Sequence, residues 1–129
     1  MALFASSLRQ NAPPILAGTL ATVGLTTGLY SFYNPPTFAQ NIGIPNIPTS
    51  AIPFALFAGA RNISVGISVL ALLYDGQKRA VGFTMLAGMA TSLLDAWICA
   101  QYGAEEGKAM GHAIGGLIVA GTGAALVWG

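Results

Sequence analysis

The sequence predicts an all-α integral membrane protein, one domain over residues 1–129 built as a bundle of four transmembrane helices. Three observations carry that expectation. Apolar residues make up 54% of the chain and Asp, Glu, Lys and Arg only 7%, where a soluble domain carries about a quarter charged residues. So few charges cannot clothe a water-soluble surface, and the mean hydropathy of +0.67 agrees. Four stretches reach the roughly 20 mostly apolar residues that cross ~30 Å of hydrocarbon. None of them alternates apolar and polar residues with period two, which favours helices over barrel strands.

The first span runs from about Pro14 to Tyr33, carries no charge and contains Gly18, Gly24 and Gly28. Its apolar run exceeds the core of about 7–15 residues in a signal peptide, and no A-x-A-like site precedes Asn34-Pro35-Pro36, so it is expected to be retained. Segment 34–52 follows, uncharged, with Pro35, Pro36, Pro45 and Pro48 between Phe38, Ile42, Ile44, Ile47 and Ile52. It reads first as a connector at the lipid interface and second as a lid folded over the bundle mouth. The second span runs from about Pro53 to Tyr74 with one charge, Arg61. Asp75-Gly76-Gln77-Lys78 is a tight polar turn, which predicts that spans two and three form an antiparallel hairpin. The third span, about Ala80 to Tyr102, also holds one charge, Asp95. After the short link from Tyr102 to Glu106, the fourth runs from about Gly107 to Trp128, with Lys108 at its mouth and His112 one turn further in.

Glycines at 24 and 28, and at 107, 111 and 115, form small-xxx-small ridges that let helix backbones approach closely in lipid. The second ridge would allow a homo-oligomer if it faces lipid. Arg9, Lys78 and Arg79 fall on one side of the membrane, and Lys108 beside Glu105 and Glu106 on the other. The positive-inside rule then places both termini in the cytosol, with the endoplasmic reticulum the expected membrane. A net charge of +1 gives no basic face for nucleic acid. The single cysteine, Cys99, excludes an internal disulfide framework and a multi-cysteine zinc site. With one histidine beside it, no metal, haem or other cofactor is expected. Gly121-Thr122-Gly123 has no preceding strand and is no nucleotide loop. Asn62-Ile63-Ser64 lies mid-span, so its match to a glycosylation signal is irrelevant.

The informative residues are the ionisable ones inside the spans, each costing roughly 2.5–3.5 kcal/mol at a helix centre by insertion scales. At ~1.5 Å of rise per residue, Arg61 lies about 12 Å deep, Asp95 about 10 Å and His112 about 7 Å, all from the non-cytosolic face. Three helices thus bring these groups to one layer. Tyr30 and Tyr33 close span one on that side, Asn62 follows Arg61, and Thr91 shares a helical face with Asp95. The other half of the bundle is nearly all Ala, Leu, Val, Ile and Gly. These residues predict a polar pocket with a dry floor, open to a lipophilic small molecule from the bilayer.

Two readings of the layer compete. Arg61 and Asp95 could be an ion pair that fixes helix register, His112 a hydrogen-bonded interface residue, and the tyrosines an aromatic belt. As a catalytic set, Asp95 would act as acid or base and Arg61 would stabilise an oxyanion or enolate. His112 would then be the second proton-transfer group, with Tyr30, Tyr33, Asn62 and Thr91 in substrate binding. That set suits isomerisation, cyclisation or epoxide opening without a cofactor. Rival functions are a transporter or channel, disfavoured because the cytosolic half offers no charged path, a lipid or sterol binder without turnover, and an assembly or scaffold protein docked through its glycine ridges.

With Ala60-Arg61-Asn62-Ile63-Ser64-Val65-Gly66, the Lys78-Arg79 turn, the Leu94-Asp95 step and the His112 helix, the chain resembles a family of small four-span membrane proteins of fungi and bacteria. That family is catalogued as a domain of unknown function and is distantly similar to the DoxX-like four-helix membrane proteins. The resemblance covers roughly residues 14–128, and its motif falls on Arg61, Asn62, Asp95 and His112. It implies a biosynthetic membrane enzyme, since fungal members can occur beside secondary-metabolite genes, with a polyketide or terpenoid substrate the expectation. It implies no particular reaction.

Overall fold

The computed structural model describes residues 2–102 and 106–129, with the backbone only for residues 2–9 and 106. Glu105 and the link at 103–105 lie outside the described residues, as do the side chains of Arg9 and Glu106. The elements in order are α1 (Ala2–Tyr33), α2 (Pro35–Asn41), a 3-10 turn (Thr49–Ala51), α3 (Ile52–Tyr74), α4 (Lys78–Tyr102) and α5 (Glu106–Trp128). Among the described residues, four segments are long and apolar enough to cross a membrane: Gln10–Tyr33, Thr49–Tyr74, Lys78–Tyr102 and Gly107–Trp128. The protein is therefore a four-span helical membrane protein. Large side chains such as Ile15, Phe32, Phe83 and Leu117 stand half or more exposed, as a lipid-facing shell requires.

The first helix begins at Ala2, upstream of the expected start at Pro14. It runs through Pro13 and Pro14, which remove two backbone donors without ending it. Further along, Thr19, Thr22, Thr26 and Thr27 donate their hydroxyls to carbonyls one turn back. Polar groups are thereby satisfied inside the helix that carries them.

The pairing of the spans departs from the expected hairpin. The turn itself is as tight as expected: the N–H groups of Gly76 and Gln77 bond the carbonyls of Leu73 and Leu72, and Gly76 takes φ +73°. This is a Schellman closure, which needs a left-handed residue at that position. Yet α3 packs chiefly on α1 and α4 chiefly on α5, while α3 and α4 touch only sparsely. Glycine placement explains the difference. A Cβ on Gly28 would come within 2.6 Å of the Gly59 carbonyl, and one on Gly66 within 2.8 Å of the Ala21 carbonyl. On the other pair, a Cβ on Gly82 would meet the Gly123 carbonyl at 2.7 Å, and one on Gly116 the Ser92 Cβ at 2.9 Å. Where lipid removes the hydrophobic drive between helices, close backbone contact decides the partners. The glycines of α3 face α1 and those of α4 face α5.

One apolar cluster then fixes the pairs relative to each other, and a second seats α2 on α3. Near the 75–79 turn, Ala17, Ala21, Val69, Val81 and Met85 are buried together, with Val119 and Leu126 packed against them. All four spans meet in this cluster. At the opposite end Phe38 and Ala39 of α2 bury against Ala55 of α3, joined by Ile42 and Ile47. Between the clusters the helix pairs stand apart, and the gap between them is the candidate site.

Candidate functional site

The gap holds two adjoining cavities. The larger, about 820 Å³, lies towards segment 34–51 and is walled by Phe54, Phe57, Ile98, Gly111, His112 and Gly115 among others. The smaller, about 180 Å³, lies towards the 75–79 turn and is walled by Ala17, Val65, Thr84, Met85 and Gly88 among others. Leu20, Gly24, Arg61, Asn62, Ser92, Asp95 and Val119 border both. The polar members of that shared border mark the waist between the two rooms.

Arg61 of α3 and Asp95 of α4 form a two-armed ion pair across the waist. Nη2 donates to Oδ2 at 2.9 Å and Nη1 to Oδ1 at 3.3 Å. The second arm is longer than a usual N–H···O bond, so Oδ1 is the more weakly held oxygen. The side chains are 42% and 24% exposed, so the pair faces the gap and is not sealed in protein. It also ties α3 to α4 where the two helices otherwise scarcely meet.

His112 borders the larger room with Arg61 and Asp95, although its hydrogen bond goes elsewhere. Its Nε2 lies 2.9 Å from the carbonyl oxygen of Ile42. A carbonyl only accepts, so Nε2 carries the hydrogen in this contact. The Cys99 thiol donates to the same oxygen at 3.0 Å. One backbone carbonyl of the Pro-rich segment is thus held by α4 and α5 together, while α2 is held by α3. The segment is a strap across the mouth of the gap.

Local chemistry makes the strap fold this way. Asn34 caps α2 by accepting from the N–H of Thr37 at 3.2 Å, and Pro35 and Pro36 occupy the first positions of that helix, where a missing donor costs nothing. Gly43 then turns the chain with φ +102°, and a Cβ there would lie 2.8 Å from Lys108 Cβ and 3.0 Å from Cys99 Sγ. Gly43→Ala is therefore expected to unseat the strap. Cys99, the single cysteine and buried, reports on it. Maleimide labelling should quicken by about tenfold or more in the variant, by analogy with a local opening near zero free energy. Equal rates would show that the strap does not depend on this turn.

Of the residues singled out by sequence, Arg61, Asn62, Asp95 and His112 meet at the larger room and Thr91 borders the smaller one. Tyr30 and Tyr33 border neither. Both are exposed, and their rings lie 6.3 Å apart. The expected dry floor is present as the apolar cluster, with the smaller room set above it. Cys99, Phe54, Phe57, Ile98 and the Ile42 carbonyl were not singled out. An apolar wall looks like any lipid-facing residue in sequence, and a carbonyl has no sequence signature. The ridge Gly107, Gly111, Gly115 faces no neighbour, since a Cβ on any of them meets nothing within 4 Å; Gly111 and Gly115 border the larger room. Among the described residues, no three His, Cys, Asp or Glu side chains gather as a metal site would require.

No curated protein and no solved structure matches the chain. Residues 21–126, which include α3 and α4 whole, α1 from residue 21 onward, most of α5 and every polar residue of the waist, match the family model described as domain of unknown function DUF4267, and the chain belongs to that family.

Proposed function

We propose that the gap is the site of a redox-neutral acid/base reaction on a lipophilic metabolite: an isomerisation, cyclisation or epoxide opening that needs no cofactor. The observation that carries this reading is the Arg61–Asp95 pair, open to an intramembrane cavity of drug-ligand size. Cavities of about 300–1,000 Å³ with apolar walls and a few convergent polar groups are the usual form of small-molecule sites. In this reading Asp95 exchanges the proton through its weakly held Oδ1, and Arg61 stabilises the oxyanion or enolate that develops. Asn62 and Ser92 orient the oxygen function, and His112 relays the second proton. A polyketide or terpenoid skeleton has the size and apolarity that the larger room would accept.

The test is a comparison of metabolites from the source organism. One strain would lack the gene, and two would carry it back as wild type or as Asp95→Asn at matched protein level. A precursor that accumulates in both the deletion and the Asp95→Asn strain supports an enzyme and names its substrate. A normal profile with Asp95→Asn overturns the mechanism.

A second reading is favoured by one specific fact: both oxygens of Asp95 are already engaged by Arg61. A carboxylate so held is a good tie between helices. The protein would then bind a lipid or sterol without turnover, or serve as a scaffold, and the pair would fix the spacing of α3 and α4. We further propose that both termini face the cytosol of an endoplasmic-reticulum membrane, from the Lys and Arg distribution. The strap would lie at the lumenal face. A reporter fused after Gly129 is expected to remain protease-accessible from the cytosol, and protection there would reverse the orientation.

A further inference from the structure

We infer that the ligand of this site has three parts in a fixed order: a bulky apolar body, an oxygen function, and a short apolar tail. The inference rests on the reading of the gap as a binding site and adds the shape of its occupant. It follows from the two rooms and what lies between them. The larger room, about 820 Å³, offers Phe54, Phe57 and Ile98 as walls and takes the body. The waist offers the Arg61 guanidinium, the Asn62 amide and the Ser92 hydroxyl, all capable of donating to an oxygen. The smaller room, about 180 Å³, is closed below by the buried cluster around Val81 and Met85. At roughly 30 Å³ per water-sized group it holds about six such groups.

The closed floor makes length the discriminating property. Lipid solvates methylenes as well as an apolar room does, so a longer tail gains little affinity. A tail that outgrows the room towards the buried cluster must displace packed side chains, which costs about 1–3 kcal/mol or about 5–150-fold in affinity. Specificity would therefore appear as a cut-off and not as a steady rise. Gly88 sets the width of this room: a Cβ there would meet Val119 Cγ1 at 3.7 Å, an ordinary contact that the fold tolerates. Gly115 does the same for the larger room, with nothing within 4 Å of its Cβ.

The experiment uses the full chain in lipid nanodiscs and a 2-naphthyl ketone whose linear acyl tail ends in a photoreactive diazirine. Unlabelled 2-naphthyl ketones with acyl tails of two to twelve carbons compete, and labelled peptides are located by mass spectrometry. Label is expected on Val65, Thr84 or Met85. The concentration that halves labelling should stay within about threefold up to about six carbons, then rise tenfold or more. Gly88→Ala should shorten the cut-off by one or two carbons and leave the two-carbon ketone unchanged. Gly115→Leu should weaken every member of the series equally, and Gly121→Leu, which borders neither room, should change nothing. If Gly88→Ala does not fold, Val65→Ala widens the same room and should move the cut-off to longer tails.

Label on lipid-facing residues such as Phe83 or Leu93, competition independent of length through twelve carbons, or the absence of saturable labelling would each overturn the inference. The readout is binding alone. If Asp95→Asn kept full turnover while the cut-off was observed, the catalytic reading would fail and the three-part ligand would stand.

Discussion

Asp95→Asn is expected to lower turnover by about 10²–10⁴-fold, the usual contribution of a positioned acid or base, while the protein still folds. The substitution keeps the shape of the side chain and one acceptor oxygen, so an arm to Arg61 survives. What it removes is the charge and the proton-exchanging oxygen. Breaking a fully buried pair from one side costs about 3–5 kcal/mol because the remaining charge is stranded. Here the Arg61 side chain is 42% exposed to the gap, and the penalty falls below that figure to the extent that water fills the gap. Thermal unfolding in detergent, read beside turnover, separates the two roles of the pair. The exchange Arg61→Asp with Asp95→Arg sharpens the test. A register pair would regain stability and function together on exchange. A catalytic pair would regain stability only, because the anion stabiliser and the base would have traded sides of the waist. Asp95→Asn with full turnover but a lower unfolding temperature would assign the pair to structure.

The spans and their charges were legible because the bilayer imposes a single large cost. An ionisable group within hydrocarbon stands out against its neighbours, and a rise of ~1.5 Å per residue converts its position into depth. Arg61, Asp95 and His112 therefore came to one room as expected. Pairing of the helices was not legible from connectivity: the tight turn at Gly76 suggested that α3 and α4 pack together, whereas Gly59 and Gly66 turn α3 towards α1. Depth arithmetic gives height along the membrane normal and says nothing of rotation about the helix axis. Tyr30 and Tyr33, read at the same level, border neither room. His112 was found, yet its partner is a main-chain carbonyl in a segment whose path depends on Gly43. Strap and waist together give the gap a definite form: spanned at mid-height by an ion pair, closed below by apolar packing, and crossed above by one carbonyl shared between Cys99 and His112.

Gly59→Val is expected to abolish assembly of the bundle, with little folded protein recovered from the membrane. A Cβ on Gly59 would overlap the Ser31 hydroxyl, lie 2.5 Å from the Ser31 Cβ and 3.0 Å from the Gly28 carbonyl. Ser31 is fully buried and already bonds the Gly28 carbonyl at 2.7 Å, so it has no free volume to move into. Overpacking of one or two methylenes in a tight core costs about 1–3 kcal/mol, and here two backbones would have to separate. The same glycine lies just N-terminal to Arg61 on α3, so any separation also moves the guanidinium away from Asp95. Gly121→Val, a Cβ-branched substitution where nothing lies within 4 Å, controls for the general effect of valine in a span and should fold normally. Ser31→Gly should rescue Gly59→Ala in part, because it removes the two worst overlaps and leaves the contact with the Gly28 carbonyl. The rescue would appear as a non-additive double-mutant cycle, as expected of groups in direct contact. Additive effects, or a well-folded Gly59→Val, would mean that α1 and α3 do not meet along this seam, and the division of the bundle into two glycine-joined pairs would have to be abandoned.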